Sequence, residues 1–428
     1  MHDEARDDDA PRATDPDVLI LGAGVVGLAC AHYLLRAGRS VHVLDRGRAG
    51  AATSHGNCGT ITPSHAPPLA APGMVAKGLK WMFDPAAPFY VRPRLDGELA
   101  AWLWRFARRC NARDWLPTAR ARGALLECSR TLLEDDLVRG QGLDCGFEAS
   151  GLRYVFRDAD ALATTRRDLP ALADLGIVVR EMSGAALEAA EPCLLPGVAG
   201  GLEFPNDAHL RPERFAAELA RSVRALGGTI EEGVAVDGFE TAGDRIVAVH
   251  TDHGGRRGRD VLSALGPWSP QWLRLLGLRV PIQPGKGYSI TTARPALAPT
   301  MPIVLKERSV CVTTWDDGFR LGSTMEFAGY DDSLNRRRLG AIERAATEYL
   351  REPLGPGPRE EWYGWRPMVW DDLPLLGRAP RHSNLWVAAG HGMLGVSMAA
   401  VTGHLLADLI TGRAPIVNPA PYAPGRFS

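Results

Sequence analysis

The stretch Val18-Leu19-Ile20-Leu21-Gly22-Ala23-Gly24-Val25-Val26-Gly27 constrains this chain more than any other. Four branched apolar residues read as a buried parallel strand, and the glycines follow at the Gly-x-Gly-x-x-Gly spacing. Gly22 permits the tight turn, Gly24 lets the backbone approach a pyrophosphate, and Gly27 lets the next helix pack close to the strand. That helix runs through Leu28, Ala29, Tyr33 and Leu35 and stops at Gly38. Its N-terminus would aim free N–H groups and a partial positive charge at the diphosphate. A second strand, residues 40–44, ends on Asp45, 18 residues past Gly27, about where an acid is needed for ribose hydroxyls. Strand, glycines, helix, strand and acid in one run predict a dinucleotide site. The alternative is an ordinary βαβ unit with tight turns.

At 428 residues the chain can bury more than one core, and two domains are expected. With 45% hydrophobic and 23% charged residues and a formal net charge of −1, it reads as soluble and globular, without a nucleic-acid footprint. The seven cysteines form no C-x-x-C pair, so neither a disulfide framework nor a metal site is expected. No apolar run reaches the roughly 18 residues of a membrane span. Residues 1–16 are acidic and polar and lack the regions of a signal peptide, so they read as a disordered tail of a cytoplasmic protein.

Past Asp45, small residues dominate Ser54-His55-Gly56-Asn57-Cys58-Gly59, so backbone can pass close to a planar ligand. Residues 63–73 are Pro-rich and read as a loop leaving the first domain. Residues 97–142 are helical in pattern; strands resume at 152–156, and residues 280–327 read mostly as strands. Near the end, Leu385-Trp386-Val387-Ala388-Ala389 leads into Gly390-His391-Gly392-Met393-Leu394-Gly395 and a helix from Val396. No acid-terminated strand follows, so this helix reads as pointing its positive end at a group that becomes anionic. The expected division is a nucleotide domain of residues 17–62, 205–275 and 360–415, with a substrate domain of 63–204 and 276–359. Arg366, in a Gly364-Trp365-Arg366-Pro367 stretch that reads as a turn, suits a carboxylate, which a guanidinium grips with two parallel hydrogen bonds. A salt bridge to Asp371 or Asp372 is the alternative use of that charge.

The motifs already quoted, with Ala264-Leu265-Gly266-Pro267-Trp268-Ser269 and Lys286-Gly287-Tyr288-Ser289, occur in an order that resembles the D-amino acid oxidase family, most closely its D-amino acid dehydrogenase branch. The resemblance spans nearly the whole chain. It implies α/β plus α+β architecture: a Rossmann-type FAD-binding domain with an inserted antiparallel-sheet substrate domain. The implied cofactor residues are Gly22, Gly24, Val25, Val26, Gly27, Asp45, Arg46, Ser54, Gly56, Asn57, Gly59, Val234, Gly266, Gly390, Gly392, Met393, Leu394 and Gly395. Asp45 would hold the adenosine ribose and Val234 would contact the adenine. Related sarcosine oxidases carry a flavin-linking cysteine where this chain has Gly364 and Trp365, so FAD is expected to be noncovalent. Arg366, Tyr288 and His55 would meet the substrate, with Arg366, Tyr288 and His391 as the catalytic set.

The implied activity is oxidation of a D-amino acid amine to an imine by hydride transfer to flavin N5, with D-proline or cis-4-hydroxy-D-proline favoured. A glycine or sarcosine oxidase using O₂, and an FAD-carrying subunit of a larger complex, are the rival readings. An NAD-binding protein without flavin is a third. The electron acceptor is open; membrane quinone, met peripherally at the inner membrane, is the analogy that the dehydrogenase branch offers.

Overall fold

The structure, a computed structural model, describes residues 15–81, 87 and 89–427. The acidic stretch read as a tail falls, through residue 14, outside them. Two sheets organise the chain. The first has six strands in the order Leu375–Arg378, Leu385–Ala389, Asp260–Ser263, Val18–Leu21, Val41–Asp45 and Thr229–Glu232. All pairings are parallel except the edge strand Leu375–Arg378. Because both faces of a parallel sheet are covered, its central strands Val18–Leu21 and Leu385–Ala389 are apolar throughout, and their side chains alternate between two cores. Val18, Ile20 and Val43 pack against helices Val25–Arg36, Pro212–Ala225 and Gly395–Thr411, while Leu19, Leu21 and Leu44 pack under the hairpin of Val236–Ala242 and Arg245–Thr251.

The second sheet has nine strands. Its main path runs Glu360–Val369, Ile282–Thr292, Phe319–Phe327, Val310–Thr314, Ile303–Leu305, Leu152–Phe156, Gly200–Phe204 and Arg180–Ser183. Strand Phe89–Val91 joins beside Phe319–Phe327. The pairings are antiparallel apart from Ile303–Leu305 with Leu152–Phe156, and Phe89–Val91 with its neighbour. Side chains alternate across it. Tyr288, Ile290, Leu321 and Val312 face helix Arg336–Tyr349, and the opposite face looks back toward the first sheet.

One expected boundary is corrected here. Residues 360–369 were placed with the nucleotide domain, yet Glu360–Val369 is paired with Ile282–Thr292 from Thr291↔Glu360 to Ile282↔Val369. Arg366 is therefore carried by the second sheet, opposite Gly285. The sheets face one another across a cavity of about 1440 Å³ lined from both.

Candidate functional site

At one end of the cavity, strand Val18–Leu21 turns at Gly22, whose φ of +105° a side chain would strain. A Cβ on Gly27 would stand 2.0 Å from the Gly22 carbonyl oxygen, so the helix sits as close to the turn as glycine allows. Helix Val25–Arg36 starts after Gly24 with no side-chain cap and no acid in its first turn, which leaves its positive end open to an anion. Gly22, Gly24, Val25 and Val26 line the cavity; Gly27 lies behind them. Ser54 Oγ accepts from Val25 N at 3.1 Å, drawing the 54–59 loop against the helix start. Asp45 closes the neighbouring strand, its Oδ2 accepting from Ala23 N at 2.7 Å and its Oδ1 from Gly47 N at 2.8 Å. Val234 is buried beside it and donates its N–H to Asp45 O at 2.9 Å. The Arg46 guanidinium lies 4.3 Å from the Trp268 ring centroid, and both, with Gly266, face the cavity.

A second helix end meets the same space. Gly395–Thr411 starts after Leu394, again without a side-chain cap or an acid in the first turn. Gly392, Met393, Leu394 and Gly395 line the cavity there, as do Gly56 and Asn57 from the 54–59 loop. His391 also lines it, with Nε2 3.0 Å from Thr402 Oγ1. Burial pushes its pKa down to about 4, so the ring is neutral near pH 7 and held by its partner.

The far chamber is floored by the second sheet. Gly287 and Gly364 pair in register, and a Cβ on Gly287 would stand 2.3 Å from Arg366 Nη1. The guanidinium thus lies flat in the space that a missing side chain provides. Arg366 Nη1 donates to Thr324 O at 2.6 Å. Thr324 has a φ of +63°, rare for a β-branched residue, beside a register shift between Lys286 and Tyr288. Its Oγ1 is buried without a partner. Neither acid offered as an alternative partner pairs with Arg366: Asp371 binds Arg426 at 2.9 Å and Asp372 binds Arg122 at 3.3 Å. Among the described residues no carboxylate forms an ion pair with Arg366. Burial disfavours its charge, and the nearby Cys58 thiol favours it.

Four sequence assignments are corrected. His55 points away from the cavity, its Nε2 2.7 Å from Glu360 Oε1 on the surface, so it is not at the substrate. The strand of Tyr288 borders the cavity, but its hydroxyl donates to Glu326 Oε2 at 2.9 Å and is not free for a substrate. The alternation that turns Gly287 inward turns Tyr288 toward helix Arg336–Tyr349. Gly59 and Gly390 do not line the cavity. A Cβ on Gly59 would meet Leu210 O at 2.0 Å, and one on Gly390 would meet Val369 Cγ2 at 2.7 Å, so both serve close packing.

Three features were missed. Arg320, fully buried, donates through Nη1 to His55 O at 3.0 Å and Asn57 O at 2.7 Å, and pairs with Glu213 at 3.2 Å. It ties the 54–59 loop to the second sheet from a strand position that carries no motif. The Arg122–Asp372 pair lines the cavity between helix Ala112–Thr131 and the turn after Glu360–Val369, and Arg122 also donates to His65 O at 2.9 Å. Cys58 and Cys311, far apart in sequence, both line the chamber.

The residues fit FAD. An uncapped helix start behind a glycine turn suits a diphosphate, and Asp45 stands at the end of the adjoining strand. The cavity exceeds the roughly 300–1,000 Å³ that small ligands occupy, leaving space for a dinucleotide and a substrate. Among the described residues no cluster of metal-ligating side chains occurs, and no helix is long and apolar enough to cross a membrane.

Comparison with known proteins points the same way. A family model described as FAD dependent oxidoreductase (DAO) matches residues 17–409. A D-amino acid dehydrogenase of Rhizorhabdus wittichii is 36% identical over 416 residues, covering 96% of this chain and 100% of that protein. Its counterpart in Chromohalobacter salexigens is 35% identical over 418 residues, 96% of this chain and 99% of its own. In fold, the chain is similar to glycine oxidase from Geobacillus kaustophilus, with a TM-score of 0.76 at 21% identity over 96% of this chain and 98% of that one. It is also similar to L-proline dehydrogenase from P. horikoshii, with a TM-score of 0.73 at 18% identity over 96% and 98%. The chain therefore belongs to the DAO family of FAD-dependent oxidoreductases.

Proposed function

We propose that the protein is a dehydrogenase that oxidises the amine of a D-amino acid, with Arg366 as the clamp for the substrate carboxylate. The observation that carries this reading is the guanidinium laid over Gly287 with no carboxylate partner among the described residues, in a chamber continuous with the nucleotide end. A cation so placed favours a planar anionic ligand, gripped by its remaining N–H groups. The names of the full-length relatives support the D-amino acid class and the dehydrogenase chemistry.

FAD, when bound, supplies the two-electron oxidation. The chain's own residues bind, orient and exclude water. Thr324 O fixes one edge of Arg366, leaving the other edge for the carboxylate, and so sets where the substrate Cα stands. The uncapped start of Gly395–Thr411 brings a positive end to the cavity wall, where negative charge that develops during oxidation is stabilised. His391, neutral and held by Thr402, keeps that turn in shape. Within the class we favour D-proline and cis-4-hydroxy-D-proline, on the likeness of the 54–59 and 390–395 motifs. Gly364 and Trp365 favour noncovalent FAD, released on acid precipitation. The relatives' names favour an acceptor other than O₂, and by analogy with the dehydrogenase branch membrane quinone is the first candidate.

The test is the anaerobic absorbance spectrum of the purified holoenzyme before and after each amino acid. Flavin bands that bleach with cis-4-hydroxy-D-proline, and stay with its L-counterpart, support the reading. Bleaching by glycine or sarcosine with peroxide released in air would replace it with an oxidase. For the clamp, Arg366→Gln should raise KM by roughly ten- to a hundredfold, the worth of hydrogen bonds to a charged group. An unchanged KM would remove Arg366 from the substrate.

A further inference from the structure

Two cysteines meet in the substrate chamber. Cys58 belongs to the loop tied down by Arg320, and Cys311 lies on strand Val310–Thr314; both are partly exposed, and both line the cavity. Cys311 pairs across the sheet with Gly322, and a Cβ on Gly322 would stand 2.2 Å from Cys58 Sγ. The Cys58 thiol therefore lies in the space that Gly322 leaves open. Gly322 is also paired with Ser289, two positions from Gly287, over which the Arg366 guanidinium lies. Diagonal neighbours on one face of a sheet are about 7–8 Å apart. A thiol and a guanidinium without a carboxylate partner among the described residues thus face one chamber about the length of a small carboxylic acid apart.

The chemistry of the seven thiols is uneven. Burial raises those of Cys30, Cys110, Cys128, Cys145 and Cys193. Cys311 is pushed up by its contact with Cys58 and by burial. Cys58 alone is lowered, first by Cys311 and then, against burial, by Arg320 and Arg366. Arg320 binds the carbonyl of Asn57 beside Cys58, and a neighbouring cation favours the thiolate, which is the nucleophilic form, so Cys58 is the reactive member of the pair.

We propose that Cys58 is a covalent-modification site of the substrate chamber, taking small electrophiles that carry a carboxylate, with Arg366 orienting them. The carboxylate preference rests on the clamp reading given above. In the step, the Cys58 thiolate attacks the electrophilic carbon. A carbon–sulfur bond forms as the bond to the leaving group breaks, and the leaving group departs with its electron pair. The thiol proton has gone to solvent beforehand, and nothing is oxidised or reduced.

Iodoacetate and iodoacetamide, applied to the holoenzyme and followed by site-resolved peptide mass spectrometry, test this. Cys58 should label first of the seven, and roughly tenfold faster with iodoacetate, a factor in keeping with one charged hydrogen-bonded contact. Arg366→Gln should abolish that preference while iodoacetamide still labels Cys58, and Cys58→Ser should remove the adduct. Cys58 remaining unlabelled while other cysteines react, or equal rates with the two reagents in the wild type, would overturn the proposal. The KM of Arg366→Gln separates the two readings. A raised KM in Arg366→Gln together with no iodoacetate preference in the wild type discards this site and leaves the clamp, whereas an unchanged KM in the variant with no preference in the wild type discards both.

Discussion

Gly287 shows how much one missing Cβ decides in this molecule. An added methyl would meet the Arg366 guanidinium 2.3–2.5 Å away, and that guanidinium, the far end of a flexible side chain, would swing off Thr324 O. Gly287→Ala should therefore raise KM for the amino acid roughly tenfold while the ratio of bound flavin to protein stays unchanged. A variant that loses flavin instead would show that Gly287 supports the nucleotide end. The arginine was legible from its short motif. The glycine beneath it was visible only as a letter, because its role depends on a partner strand about 80 residues away in sequence.

Among the elements, the 54–59 loop is the one most dependent on a distant side chain. Its own residues are small, and its backbone carbonyls at His55 and Asn57 are held by Arg320 of strand Phe319–Phe327. Arg320→Met should weaken FAD binding at least roughly tenfold and destabilise the fold by about 2 kcal/mol, since Glu213 keeps Arg211 as a partner. Flavin fluorescence during dialysis and urea unfolding would read these separately. Full flavin retention would mean that Ser54 and the helix start hold the loop without help. Gly364-Trp365-Arg366-Pro367 reads as a turn in sequence, yet it lies inside strand Glu360–Val369, because pairing with Ile282–Thr292 extends it.

In the whole molecule, buried charges join segments that the chain keeps far apart. Arg122 and Asp372, with side chains 5% and 6% exposed, link a helix to the turn after the Arg366 strand, and Asp372 Oδ2 also accepts from Leu69 N. Asp372→Asn leaves Arg122 buried without its counter-charge and should cost about 3–5 kcal/mol of unfolding free energy in urea. Stability should also fall in acid. Burial holds His32, His209 and His391 at about 4 and, with Lys306 and Arg122, His65 at about 3, against an ordinary 6.5. These rings stay neutral in the folded chain while the unfolded chain takes up protons below pH 6.5. Their contribution is thus complete above 6.5 and lost as the pH falls toward 4. Asp207, raised by burial to about 7, acts in the opposite sense across that whole window, as do Glu127, Asp260 and Asp372, which burial also raises. His42, lowered by burial, acts with the other four rings. A urea midpoint at pH 5 equal to that at pH 7.5 would contradict this account.

Read alone, the sequence determined the dinucleotide site, because its signals are local: a strand, a glycine turn, a helix start and an acid lie within some thirty residues. It also singled out Arg366, whose motif offers a fixed guanidinium, although the motif lies in a strand rather than a turn. Only the tertiary structure decided what faces the chamber. Strand alternation and the irregularity at Thr324 turn Gly287 inward and Tyr288 outward. His55 is drawn to Glu360 on the surface, and Cys58 meets Cys311 over Gly322. Those outcomes depend on register between distant strands, and a shift of one residue would exchange every inward side chain for an outward one.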